Sequence, residues 1–171
     1  MRIYLVGYMA SGKTQIGKLL AAELNYGFID LDQLFEEQFR ISIADFFEKY
    51  GEKQFRMIEH ELLVETSKKE NQVIATGGGT PCFHDNMELI NQTGLSVFIH
   101  FEVPFLVKRL LKSRRKRPVL KGIPDEKLDE MVGNHLAQRL PFYQRARVIL
   151  DGSDMELSQT VKKISDLVNG I

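Results

Sequence analysis

Gly7-Tyr8-Met9-Ala10-Ser11-Gly12-Lys13-Thr14 is the stretch that decides the fold. Its spacing is G-x-x-x-x-G-K-[ST], the pattern of a loop that cradles phosphates. The glycines let the backbone turn tightly enough for its N–H groups to point inward at phosphate oxygens. A helix that starts where the loop ends adds partial positive charge. A lysine at this place reaches the outer phosphates, and the hydroxyl after it ligates Mg²⁺. A chance match in a chain of this length is expected roughly once in a few hundred sequences. The flanks make chance rarer still. Ile3–Val6 is a short apolar run closed by Gly7, which predicts a buried strand. Residues 13–24 place Ile16, Leu19, Leu20 and Leu24 on one face, which predicts a helix.

The same alternation continues outward. Phe28 and Ile29 form a second short strand ending at Asp30, followed by a short helix over 31–39. Ser42 suits the cap of a helix over 43–50 that stops near Gly51. A longer helix from about Glu52 to Lys69 turns Phe55, Ile58, Leu62 and Leu63 inward. Val73–Ala75 and Val97–Phe101 read as strands, with a helix over 84–93 between them ending at Gly94. Pro104 fits the first turn of a helix over 103–112. Residues 113–124 carry Pro118, Gly122 and Pro124 among basic residues and are expected to form a mobile loop. A helix over 125–139 is expected to end at Pro141, followed by a fifth strand, Val148–Leu150. A last helix over 154–168 shows Leu157, Val161, Ile164 and Val168 on one face. Solid apolar strands alternating with helices imply an α/β fold: a parallel sheet covered on both faces.

The chain has 171 residues, which suits a single domain, 1–171. With 43% hydrophobic and 27% charged residues it has enough apolar material for a core that can hold a rigid site. Lys plus Arg and Asp plus Glu are 23 each, so the charge balance argues against a nucleic-acid or membrane-surface binder. The apolar run at the start is too short for a signal peptide or a membrane span. Cys82 is the one cysteine, which excludes an intramolecular disulfide and fits a reducing, cytoplasmic setting.

Asp30 and Asp32 follow the second strand, at the sheet edge where ligands of open α/β folds bind. A carboxylate there can orient an acceptor hydroxyl and take its proton, or can serve a metal; helix capping is the plainer alternative. Arg56 and Glu59 share a helix face, so Glu59 can steady a guanidinium that binds an anion. Arg139 stands either at the cleft or at a helix end. In the basic run from Lys108 to Arg117, Arg117 stands out because it precedes Pro118 in a loop able to close over ATP. Gly77-Gly78-Gly79 follows a strand directly and permits close approach of backbone to ligand; a flexible turn is the alternative. Thr76 is a candidate partner for metal-bound water. His60, His84, His100 and His135 lack metal-ligand spacing and read as structural or surface residues.

Taken together the segments resemble the shikimate kinase family over nearly the whole chain. The likeness rests on the phosphate loop, Phe28-Ile29-Asp30-Leu31-Asp32, Phe55-Arg56-Met57-Ile58-Glu59, Gly77-Gly78-Gly79, Arg117-Pro118-Val119-Leu120 and Arg139-Leu140-Pro141-Phe142-Tyr143, in order and spacing. The resemblance implies a three-layer P-loop kinase fold, with five parallel strands in the order 2-3-1-4-5 and helices on both faces. It implies phosphoryl transfer from ATP, with Mg²⁺, to the 3-hydroxyl of shikimate. Ala10, Ser11, Gly12, Lys13, Thr14 and Gln15 would hold ATP, with Arg117 from a lid over 113–124. Thr14 and Asp30 would serve the metal. Asp32, Arg56, Gly78 and Arg139 would hold the acceptor, within a helical region over 31–69. Lys13, Asp32 and Arg117 would be catalytic, with Asp32 as base. A cytoplasmic monomer is expected. Ala10 and Gln15 stand where the family more often has Gly and Thr. Arg109 and Arg114 are both candidates for the arginine that flanks adenine, and the adenine contact near Ser153-Asp154-Met155 stays open.

A kinase of gluconate or of a nucleoside monophosphate would keep the same fold. Two carboxylates at the acceptor side favour a polyhydroxylated acceptor over a phosphate, which they would repel. A nucleotide-binding switch would show Asn-Lys-x-Asp, which does not occur, and a nucleic-acid module would need more positive charge.

Overall fold

The computed structural model describes residues 1–113, 124–153 and 155–170. Five strands form one sheet: β1 (Arg2–Val6), β2 (Gly27–Asp30), β3 (Gln72–Ala75), β4 (Leu95–His100) and β5 (Val148–Asp151). Their order is β2-β3-β1-β4-β5, and each pairing is parallel. The helices are α1 (Lys13–Leu24), α2 (Leu31–Phe39), α3 (Ile43–Thr66), α4 (Asn86–Thr93), α5 (Val103–Ser113), α6 (Leu128–Tyr143) and α7 (Leu157–Asn169). Ile3, Leu5, Val6, Val73, Ile74 and Val97 are fully buried, as strands covered on both faces require. Among the described residues no helix is long and apolar enough to cross a membrane.

Register brings three loops to one place. Ala75 pairs with both Asp30 and Leu5, so β2, β3 and β1 end side by side. Asp30, the Gly77–Gly79 turn and the phosphate loop therefore leave the sheet as neighbours, beyond the carboxyl ends of the strands.

A second, smaller core lies under α2 and α3. Phe35, Phe46, Phe55 and Leu62 are buried together. The Phe35 ring lies 5.0 Å from Phe46 and 4.9 Å from Phe55. Ser42 caps α3, accepting from the Asp45 N–H at 3.1 Å. Gly51 breaks this helix at φ 82°, where only glycine is at ease, so the two expected helices meet at a sharp bend.

Pro141 does not end its helix: α6 continues to Tyr143. The proline removes one N–H bond near the C-terminus, and burial of Tyr143 against Phe98 holds the last turn in place. The helix expected from 84 starts at Asn86, after a 3₁₀ turn over Thr80–Cys82. The last helix starts at Leu157 because Glu156 caps it, in a reciprocal box with Gln159.

Candidate active site

The phosphate loop departs from ordinary backbone at three places: Gly7, Ala10 and Gly12 have φ of 145°, 65° and 88°. This winding turns the loop around the start of α1. Lys13 is buried, and its ammonium donates to the carbonyls of Gly7 (2.8 Å) and Tyr8 (2.9 Å) and to Ser11 Oγ (3.4 Å). Gln15 is exposed on the first turn of α1.

Thr14 and Asp30 meet directly, the hydroxyl donating to Asp30 Oδ2 at 2.6 Å. Asp30 Oδ1 accepts from the N–H groups of Asp32 (3.1 Å) and Gln33 (3.2 Å), capping α2. Capping and site geometry are thus joined in one carboxylate. Two hard oxygen ligands beside a phosphate loop suit Mg²⁺, which keeps waters and phosphate oxygens in the rest of its shell. Among the described residues no three His, Cys, Asp or Glu side chains gather into a metal cage.

Asp32 is the second residue of α2, in its first turn, and is exposed at the cleft, although protein crowds around it. That crowding pushes its carboxyl up to about 6, with help from the charges of Asp30 and Glu59. Lys13 and Arg56 pull the other way. A carboxylate poised near neutrality, close to a phosphate loop, is suited to accept a hydroxyl proton.

Arg56 is buried and held on several sides. Nη1 donates to Glu59 Oε2 at 2.7 Å; Nε and Nη2 donate to Glu52 Oε1 at 3.1 and 2.9 Å. Glu59 is itself fixed by the Thr80 hydroxyl at 2.5 Å. The Phe83 ring lies 4.2 Å from the guanidinium carbon.

The Gly77–Gly79 turn is where these groups converge. A Cβ on Gly77 would lie 2.6 Å from Asp32 Oδ1. On Gly78 it would lie 3.2 Å from Arg139 Nη1 and 3.3 Å from the Met9 nitrogen in the phosphate loop. On Gly79 it would lie 2.5 Å from Arg56 Nη2. The turn is a packed hub whose lack of side chains lets both arginines, Asp32 and the phosphate loop approach. Arg139 lies over the Tyr8 ring at 5.8 Å. Tyr143 donates its hydroxyl to the Gly78 carbonyl. The Tyr8 hydroxyl pairs with His135 Nδ1 at 3.0 Å. Burial lowers the His135 pKa, and so do the charges of Arg139 and Arg56.

Arg109 touches the other side of the loop. It donates to the Ala10 carbonyl at 3.1 Å and lies over Phe105 (4.5 Å) and Phe101 (4.7 Å). Thr76 is buried and donates to the Leu5 carbonyl at 3.0 Å, which makes it part of the sheet end. Burial pushes the Cys82 thiol up to about 11, so it is no nucleophile at neutral pH.

Lys13, Asp30, Asp32, Arg56, Gly78 and Arg139 thus share one end of the sheet. Arg117 lies outside the described residues, with Arg114, Asp154 and all but the ends of the 113–124 loop. Sequence reasoning missed Glu52, Phe83, Tyr143 and the Tyr8–His135 pair. For Glu52 a signal existed, because it stands four residues before Arg56 on a predicted helix.

The shikimate kinase family model matches residues 9–169. A shikimate kinase of Bacteroides thetaiotaomicron is 40% identical over 172 residues, covering 98% of either chain. The crystal structure of a shikimate kinase from that organism superposes with a TM-score of 0.93 at 39% identity, covering 99% of this chain and 98% of the other. A shikimate kinase from Acinetobacter baumannii, solved in complex with shikimate, gives 0.90 at 31% identity, covering 99% and 93%.

Proposed function

The chain belongs to the shikimate kinase family, and from that premise we propose how its residues divide the work of moving the γ-phosphoryl group of ATP to shikimate. The family reaction yields shikimate 3-phosphate and ADP. The amides of Ala10–Gln15 hold the phosphates, and Lys13 leaves the loop carbonyls to neutralise charge on the transferring group. Thr14 and Asp30, whose oxygens already meet, would hold Mg²⁺. When bound, that ion neutralises charge on the phosphate oxygens. Arg109, with Phe101 and Phe105 beneath it, faces the adenine.

On the acceptor side, Arg56 and Arg139 grip the carboxylate, with Gly78 lending backbone contact. Asp32 orients the reacting hydroxyl and takes its proton as the phosphoryl group leaves ATP. Helices over 31–69, with their own aromatic core, form the acceptor-binding part of one kinase domain. The observation that carries this reading is the Gly77–Gly79 turn, against which Asp32, Arg139, Arg56 and the phosphate loop all pack. Action as a monomer is part of this reading. A single cysteine supports a cytoplasmic setting.

Coupled assay of ADP release with shikimate, gluconate and nucleoside monophosphates tests the acceptor. Shikimate should accelerate ADP release by orders of magnitude and the others should not. No gain with shikimate rejects the reading.

A further inference from the structure

Resting on the reading of Arg56 as an anchor for the acceptor carboxylate, we propose that Glu52 is a specificity-determining residue. Its carboxylate holds the edge of Arg56 that the acceptor carboxylate takes over on binding. The two carboxylates on Arg56 differ in kind. Glu59 is 4% exposed and tied to the Thr80 hydroxyl, so it is a permanent support. Glu52 is 54% exposed, and water takes up its charge at little cost when it leaves.

Geometry directs the newcomer to the Glu52 edge. The Phe83 ring covers the guanidinium plane. Gly79 packs against the terminal nitrogens and the central carbon, since a Cβ there would lie 2.5, 2.6 and 2.7 Å from Nη2, Nη1 and Cζ. Nε and Nη2 form the remaining side, an edge able to grip a carboxylate with two parallel hydrogen bonds. Both are occupied by Glu52 Oε1.

Room for exchange exists. Glu52 follows the Gly51 bend, and its side chain is more than half exposed. An arriving carboxylate repels Glu52 and replaces it, leaving Arg56 paired throughout. A neutral acceptor cannot make this exchange, because it does not replace the ion pair it breaks. Glu52 therefore sets acceptor affinity and favours anionic acceptors.

The test is calorimetric binding of shikimate and of its carboxamide to the parent, Glu52→Gln and Arg56→Ala proteins. Glu52→Gln should bind shikimate about 3- to 10-fold more tightly and the carboxamide no more tightly. Arg56→Ala should lose shikimate binding. Unchanged or weaker shikimate binding in Glu52→Gln, with binding still lost in Arg56→Ala, overturns the displacement and spares the role of Arg56. Equal tightening for both ligands overturns it as well. Unaltered binding in Arg56→Ala overturns both.

Discussion

The Thr14 hydroxyl donates to Asp30 Oδ2 at 2.6 Å, while the other oxygen of the same carboxylate caps the helix that carries Asp32. Asp30 thus ties the phosphate loop to the start of α2. The two duties can be separated. Asparagine caps as well as aspartate, so Asp30→Asn should keep stability within about 0.5 kcal/mol of the parent. It should raise the Mg²⁺ concentration for half-maximal rate about 10-fold or more. Asp30→Ala should also lose about 1 kcal/mol of stability with the cap. Denaturant titration and Mg²⁺ dependence of the rate measure the two effects.

Asp32→Asn should lower turnover by about 10²- to 10⁴-fold while ATP still binds, and near-normal turnover would remove Asp32 as base. In the parent, kcat/KM should fall as pH drops through about 6, where the carboxylate takes up its proton.

The same residue predicts a stability effect of opposite sense. Its folded pKa lies above the ordinary 3.8, so the folded state binds the proton more tightly. Stability from this group is gained as pH falls from about 6 toward 4, and its ionised form is a cost at pH 8. Asp32→Asn should therefore raise Tm at pH 8. Water reaches the carboxylate, so the gain is set at about 1 kcal/mol, or about 2–4 °C. The difference should vanish below about pH 4. Thermal melts at both pH values decide it.

Gly79→Ala should damage the acceptor side selectively. Gly79 has φ −90° and ψ −23°, which alanine adopts without strain, so only contact with the Arg56 guanidinium opposes it. The acceptor KM should rise about 10- to 100-fold while the ATP KM barely moves. Equal rises in both would show that the turn does not divide the site in this way.

Ala10 sits at φ 65°, a left-handed conformation that costs an L-residue about 1–2 kcal/mol. Ala10→Gly relieves that strain and returns part of the gain as chain entropy. A rise in Tm of about 1–4 °C is expected from thermal melts.

Much of this was legible before the structure. Gly7–Thr14 announces its chemistry because backbone geometry, dipole and cation all require particular residue types at fixed spacing. Apolar runs marked the strands, and Arg56–Glu59 followed from helix spacing. The site's wider contacts were hidden by distance along the chain. Arg109 reaches Ala10 across 99 residues, and Tyr8 meets His135 across 127. No periodicity links such pairs; only the sheet order and helix placement do. Gly77–Gly79 showed a need for small residues but not what crowds them. Pro141 misled because its local preference yields to the burial of Tyr143.

The account stands most directly on a crystal structure of the protein with ADP, Mg²⁺ and shikimate. The carboxylate should lie within hydrogen-bond reach of Arg56 and Arg139, and a ring hydroxyl against Asp32, facing the nucleotide held by Lys13. Shikimate seated away from the Gly77–Gly79 turn, or turned with its carboxylate toward Asp32, would contradict it.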